Sequence, residues 1–155
     1  MKRLHIHIAV DDLAKNIDFY SKLFGQAPAV TKEDYAKWML DDPRVNFAIS
    51  NRGRAKGLDH MGFQVESGDE LEDVHANMNA AGGQVVSQTG TACCYAESDK
   101  HWTVDPQGIA WEAFHTLNEV PMFGGNDMSA KKGIGIAVQS TCCVPEMKGV
   151  KNGCC

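Results

Sequence analysis

The N-terminal segment alternates. Leu4, Ile6, Ile8 and Val10 fall on one face of an extended run, and His5, His7 and Ala9 on the other. This predicts a strand with an apolar face and a face carrying imidazoles. From Leu13 the period lengthens. Leu13, Ile17, Tyr20 and Phe24 recur at helical spacing, with Asp11 or Asp12 placed to cap the start and Gly25 to stop the end. Short extended segments are expected at residues 29–31, 36–40 and 45–50, with turn chemistry at Asp41-Asp42-Pro43.

After a polar, basic linker at residues 51–57 the pattern restarts. Residues 58–65 read as a strand bearing His60. Residues 69–81 read as a helix with Leu71, Val74 and Met78 on one side and Gly82-Gly83 as its stop. Strands are expected at residues 84–87, 94–97, 101–104 and 109–114, the last two joined by the turn Asp105-Pro106-Gln107-Gly108. The β-α-β-β-β order therefore occurs twice, at a period of about 55 residues. The expected fold class is α+β, with two tandem βαβββ modules (about 1–52 and 57–116) in one domain, residues 1–120. The modules are expected to curl around a shared metal cavity, in which His5 and His60 would approach each other across a pseudo-two-fold axis. From Gly124 onward there is no Phe, Trp or Tyr, and residues 121–155 are expected to form a flexible tail carrying cysteines.

Composition narrows the function classes. The chain of 155 residues, 43% of them hydrophobic, suits one domain with a real core. A net charge of −5 argues against nucleic acid or an anionic membrane as partner. No apolar run approaches the roughly 20 residues of a membrane span, and Met1-Lys2-Arg3 does not open a signal peptide. The six cysteines stand in three tandem pairs, Cys93-Cys94, Cys142-Cys143 and Cys154-Cys155. Tandem pairing suits thiol chemistry in a reducing cytoplasm better than a secreted disulfide framework. The expected assembly is a monomer or homodimer.

Two groups of residues could carry chemistry. Adjacent cysteines strain the peptide between them if they form a disulfide. Cys93 and Cys94 can instead chelate one soft centre, provided the backbone there is a loop or bulge, which Gly90 and Thr91 favour. The alternative is a pair of small buried hydrophobes. His5, His60 and Glu112, on three separate strands, would make a facial triad with open coordination positions. His7 shares a face with His5, so periodicity alone does not choose between them; His75, His101 and His115 are given no metal role. Trp38, Phe47, Tyr95 and Trp102 are either cavity wall or ordinary core. Residues 93–102, with Ser98, Asp99 and Lys100, could form a lid.

The string from His5 to Leu13, with Phe19-Tyr20 and Leu23-Phe24-Gly25, resembles the opening of vicinal-oxygen-chelate proteins. These include glyoxalase I, fosfomycin-resistance thiol transferases and extradiol dioxygenases. Asp59-His60-Met61-Gly62-Phe63 and Asp105-Pro106-Gln107-Gly108 with Trp111-Glu112 match the second half of that pattern. The resemblance covers about residues 3–115 and implies that His5 (not His7), His60 and Glu112 are the metal ligands. Residues 36–47 and Cys93-Cys94-Tyr95-Ala96 are similar, more narrowly, to ArsI-type C–As lyases and to cadmium-induced CadI proteins. That narrower likeness implies a non-haem Fe(II) dioxygenase, with Fe(2+) as cofactor. Its substrates would be O2 and a trivalent organoarsenical such as methyl- or phenylarsenite, bound by Cys93 and Cys94, and arsenite would be released. Two alternatives stay open. One is another vicinal-oxygen-chelate activity, glyoxalase or thiol transferase, although residues 45–49 lack the glutamate expected of a glyoxalase fourth ligand. The other is a thiol-rich protein that sequesters Cd(II) or As(III) without catalysis.

Overall fold

The structure, a computed structural model, describes residues 1–93 and 95–119 together with Pro145. The first module comprises β1 (Arg3–Ala9), α1 (Leu13–Phe24), β2 (Val30–Lys32), β3 (Tyr35–Asp41) and β4 (Arg44–Ser50). The second comprises β5 (Gly57–Val65), α2 (Gly68–Ala80), β6 (Val86–Cys93), β7 (Ala96–Val104) and β8 (Ala110–Glu119).

Among the described residues, the eight strands join one sheet in the order β2-β3-β4-β1-β5-β8-β7-β6. In each module the first strand pairs in parallel with the last, β1 with β4 and β5 with β8, across the helical crossover. The modules meet where β1 runs antiparallel to β5. Strand order and direction are thus symmetric about the β1–β5 seam, and both imidazole-bearing strands lie at the centre.

The sheet is strongly curled. Four strands separate β3 from β7, a flat-sheet distance of about 24 Å at about 4.8 Å per strand. Yet the Tyr95 hydroxyl, in the β6–β7 turn, donates to Oδ1 of Asp34, in the turn just before β3, at 2.7 Å. The Tyr35 and Tyr95 rings lie 6.0 Å apart, so the two ends of the sheet meet and enclose the concave face.

The helices cover the convex face. Asp12 caps α1 by accepting from Lys15 N, and Gly25 ends it at φ 67°. Leu13, Ile17, Tyr20 and Phe24 then pack on Val10, Ala36, Trp38, Phe47 and Ile49, with Ile6 and Ile8 beneath them. Trp38 and Phe47 belong to this helix-facing core, on the side of the sheet away from the cavity. On α2, Leu71, Val74 and Met78 pack on Val65 and Ala113. On β1 the imidazole face is the more buried one: His5, His7 and Ala9 are buried, while Ile6 and Ile8 are half-buried under α1.

The second module departs from the pattern expected of it. The strands expected at 94–97 and 101–104 are replaced by one strand, β7, which runs unbroken from Ala96 to Val104, so residues 96–102 do not form a lid. The polar Ser98-Asp99-Lys100 run sits within a sheet, paired with β6 on one side and β8 on the other. Its polar groups are matched there, with Asp99 accepting from Gly90 N at 2.7 Å and Lys100 donating to Glu112. The expected segment at 84–87 extends to Cys93, with a bulge between Gln88 and Thr91 where Gly90 adopts φ 59°.

Candidate metal centre

His5, His60 and Glu112 reach one point from three adjacent strands, β1, β5 and β8. The parallel β1–β4 register sets His5 opposite Asn46, and His5 Nδ1–H donates to the Asn46 carbonyl at 3.1 Å. His60 Nδ1–H donates to Asp59 Oδ1 at 2.7 Å, and Asp59 Oδ2 is held by Arg54 Nε at 2.7 Å. Each ring is therefore anchored through one nitrogen and presents the other, the arrangement in which proteins hold metal-binding imidazoles.

The two presented Nε2 atoms lie 3.2 Å apart. Glu112 Oε2 lies 3.5 Å from His60 Nε2 and 3.8 Å from His5 Nε2. Gly62 makes this approach possible: a Cβ there would lie 1.8 Å from the Glu112 carbonyl oxygen, so only glycine lets β8 sit so close to β5. All three residues are buried. Phe114 meets the His5 ring edge-on and Trp102 the His60 ring, with centroids 5.2 Å apart in both pairs.

His7 lies beside the triangle. Its ring is 4.8 Å from that of His60, and one donor atom from each of His5, His7 and His60 falls within 4.8 Å of the other two. His7 Nε2 is paired with Ser50 Oγ at 2.9 Å, whereas the Nε2 atoms of His5 and His60 face Glu112.

Electrostatics divides the roles of the two histidines. Burial, then the charge of His60, lowers the His5 pKa to about 4, so His5 is a neutral acceptor. Burial opposes charge on His60 too, but hydrogen bonds to Asp59 and Glu112 outweigh it and raise its pKa to about 9. The Nε2 proton of His60 thus lies between His5 and Glu112. Burial opposes ionisation of Glu112, yet Lys100, His60 and His5 together hold its pKa well below the usual carboxylate range. His7 is pushed well below the ordinary imidazole value by burial and by His60.

This donor set fits a divalent metal ion. Bonds of about 2.1 Å put neighbouring donors about 3 Å apart at right angles, close to the spacing between these atoms. Two imidazoles and a carboxylate on one side leave the other positions open.

Lys100, Asp59 and Asn46 support the centre, and the sequence alone assigns none of them to it. A signal existed for two: Asp59 precedes His60, and Lys100 alternates with Trp102 on one strand face. Trp102 stands beside His60, and Tyr95 closes the rim near Tyr35, whose ring is 6.1 Å from that of His7. Cys93 ends β6, its backbone paired with Ala96. Cys94, Cys142, Cys143, Cys154 and Cys155, with the expected tail, lie outside the described residues.

The model of the Glyoxalase/Bleomycin resistance protein/Dioxygenase superfamily matches residues 2–113. The chain is 39% identical over 160 residues to the trivalent organoarsenical cleaving enzyme of Bacillus sp. (strain MD1), spanning all of this chain and 91% of that protein. It is 34% identical to the cadmium-induced protein CadI of Mycobacterium tuberculosis, over 92% of this chain and 93% of the relative. Among solved structures, an extradiol ring-cleaving dioxygenase from B. fuscum superposes with a TM-score of 0.57 at 21% identity, over 76% of this chain and 33% of that one. This last likeness is one of fold.

Proposed function

We propose, since this chain belongs to the glyoxalase/bleomycin resistance protein/dioxygenase superfamily, that it cleaves the carbon–arsenic bond of trivalent organoarsenicals and releases arsenite. The relatives that cleave trivalent organoarsenicals support the substrate class. The observation that carries the reading is the buried triangle of His5 Nε2, His60 Nε2 and Glu112 Oε2, with edges of 3.2 to 3.8 Å. In this reading these residues hold Fe(II), and Cys93 and Cys94 hold arsenic. When bound, ferrous iron supplies one-electron and O2 chemistry at its open positions.

The chain's own residues then have defined tasks. The Cys93 and Cys94 thiols exchange for two oxygen ligands of the arsenical, forming two As–S bonds and releasing two waters. Arsenic keeps its organic substituent, whose direction is fixed by the two sulfurs, a proximity effect. Asp59 and Asn46 O keep the two rings aligned. Lys100 occupies Oε1 of Glu112 and leaves Oε2 as the donor. Phe114 and Trp102 exclude bulk water from both rings. The His60 Nε2 proton leaves when a cation takes its place. For the methyl compound the stoichiometry closes with one O2: methylarsenous acid and O2 give arsenous acid and formaldehyde. The reading places this work in the cytoplasm, where paired thiols stay reduced.

The three tandem cysteine pairs favour a second reading, a sequestrant of thiophilic ions without turnover. The test is anaerobic loading with Fe(II), then addition of methylarsenite and air, following arsenic speciation and dissolved O2 together. Arsenite formed with matching O2 uptake is expected. Bound arsenical with no O2 consumed would overturn the lyase reading in favour of sequestration.

A further inference from the structure

Across the sheet from the histidine triangle, α2 and β7 bring together a second set of donors. Lys100 and Trp102 of β7 reach Glu112 and His60, and His101 between them faces the other way, toward α2. Glu72 and His75 lie one turn apart on α2, with Glu72 Oε2 3.3 Å from His75 Nδ1. The His75 ring stacks on that of His101 with centroids 3.9 Å apart and planes 8° from parallel. Glu72 Oε1 lies 3.8 Å from His101 Nε2. One donor atom from each of the three residues falls within 4.8 Å of the other two.

His101 separates this group from an ordinary surface cluster. The residue is only 8% exposed. Its Nδ1 is paired with Ser87 Oγ at 2.8 Å, which fixes the ring. Its Nε2 is buried and has no hydrogen-bond partner, although the Glu72 carboxylate lies 3.8 Å away. An unpaired buried ring nitrogen is costly unless something binds it. Anchored at one nitrogen and free at the other, the ring is prepared as a ligand in the same way as His5 and His60.

We infer that Glu72, His75 and His101 form a second metal site, for a divalent d-block cation of the Zn(II) class, which ties α2 to the back of β7. Two imidazoles and a carboxylate are borderline donors suited to such an ion, whereas Mg(II) and Ca(II) prefer sites built from oxygen. Bonds of about 2.0–2.2 Å bring tetrahedral donors to about 3.3–3.6 Å of one another, so donors now within 4.8 Å have to draw together, and His75 has to turn out of its stack on His101 to aim a ring nitrogen at the shared ion. The partners with room to turn are on the helix, where the side chains of Glu72 and His75 are 72% and 28% exposed. His101 is the fixed one. The site is independent of the arsenical reading. Its link to the triangle is β7 itself, because the residues on either side of His101 touch Glu112 and His60.

The test is a Zn(II) titration of the full chain with 15N-labelled histidine, observed through the imidazole nitrogens. This readout separates the site from zinc held by cysteines or by His5 and His60. The His75 and His101 signals are expected to shift together and saturate. Glu72→Gln and His75→Ala, both on the exposed side of α2, should each weaken that transition by about tenfold or more. Ser87→Ala, which frees the His101 ring without removing a donor, should also weaken it. Signals from His75 and His101 that stay fixed while the His5 and His60 signals saturate would overturn the proposal. So would a transition unchanged in both Glu72→Gln and His75→Ala.

Discussion

Lys100 donates from Nζ to Glu112 Oε1 at 2.8 Å, inside the sheet, with both side chains about 94% buried. The pair divides the carboxylate. One oxygen is neutralised by the ammonium, and the other faces the two histidine Nε2 atoms. A buried carboxylate shared by a cation and two imidazoles stays ionised without water, as the proposed metal centre requires.

Replacing Lys100 by Met therefore does more than remove a charge. Glu112 would lose the partner that holds its pKa down and would protonate more readily. Iron affinity should fall by about tenfold to a hundredfold, with the loss concentrated at lower pH. Iron content against pH for Lys100→Met beside the wild type is the measurement. Curves that superimpose would leave Lys100 as a packing residue.

His5→Ala, His60→Ala and Glu112→Ala should each abolish stoichiometric iron and turnover, because each removes one of the three donors of the proposed centre. His7→Ala should retain most of the iron, since His7 Nε2 pairs with Ser50 Oγ and not with the carboxylate. Elemental analysis of the four purified variants decides this. Iron lost from His7→Ala and kept by His5→Ala would reverse the assignment.

The stability of the metal-free protein should peak near pH 6.5. The His60 pKa is raised from 6.5 to about 9 on folding, so its contribution is complete below about 6.5 and is lost as pH rises toward 9. The His5 pKa is lowered from 6.5 to about 4, so the unfolded chain binds the extra proton and stability falls as pH drops through that interval. Glu112, depressed on folding, adds to the loss below about 4.5. Melting temperatures from pH 4 to 9 provide the check, and His60→Gln should flatten the alkaline limb. Metal uptake near pH 7.5 should release about one proton, read by calorimetry in buffers of different ionisation enthalpy.

Cys93→Ser and Cys94→Ser should each lose organoarsenical turnover while keeping iron, because in the proposed reading the soft thiolates hold arsenic and the N/O donors hold iron. Arsenite release and iron content are measured on the same samples. Wild-type arsenite release from both variants would remove the pair from the reaction.

Gly62→Ala would place a methyl carbon 1.8 Å from the Glu112 carbonyl oxygen. β5 and β8 would have to separate, which costs about 1–3 kcal/mol or more as overpacking and draws Glu112 away from His60. A lower melting temperature and weaker iron retention are expected together. Normal values for both would show that the strands accommodate the methyl group.

The sequence by itself determined the local elements and the two-module plan. Period two in β1 and the helical spacing from Leu13 to Phe24 follow from side-chain direction, which the chain sets residue by residue. The cap at Asp12 and the stop at Gly25 are equally local. The repeat of a histidine on the first strand of each module made the symmetric meeting of His5 and His60 legible before any coordinate. Tertiary structure decided what depends on pairing between distant segments. The run Ser98-Asp99-Lys100 is polar enough for a loop, and it became strand only because β6, β8 and Glu112 satisfy its backbone and its charge. Trp38 and Trp102 look alike in sequence, yet one lies beneath α1 and the other beside His60, because their strands present opposite faces to the cavity. The choice of Nε2 on both histidines rested on Asn46 O and Asp59, partners set by strand register and an adjacent carboxylate. The pairing of His75 with His101 arose when α2 was laid across β7, a contact between residues 26 positions apart that no periodicity encodes.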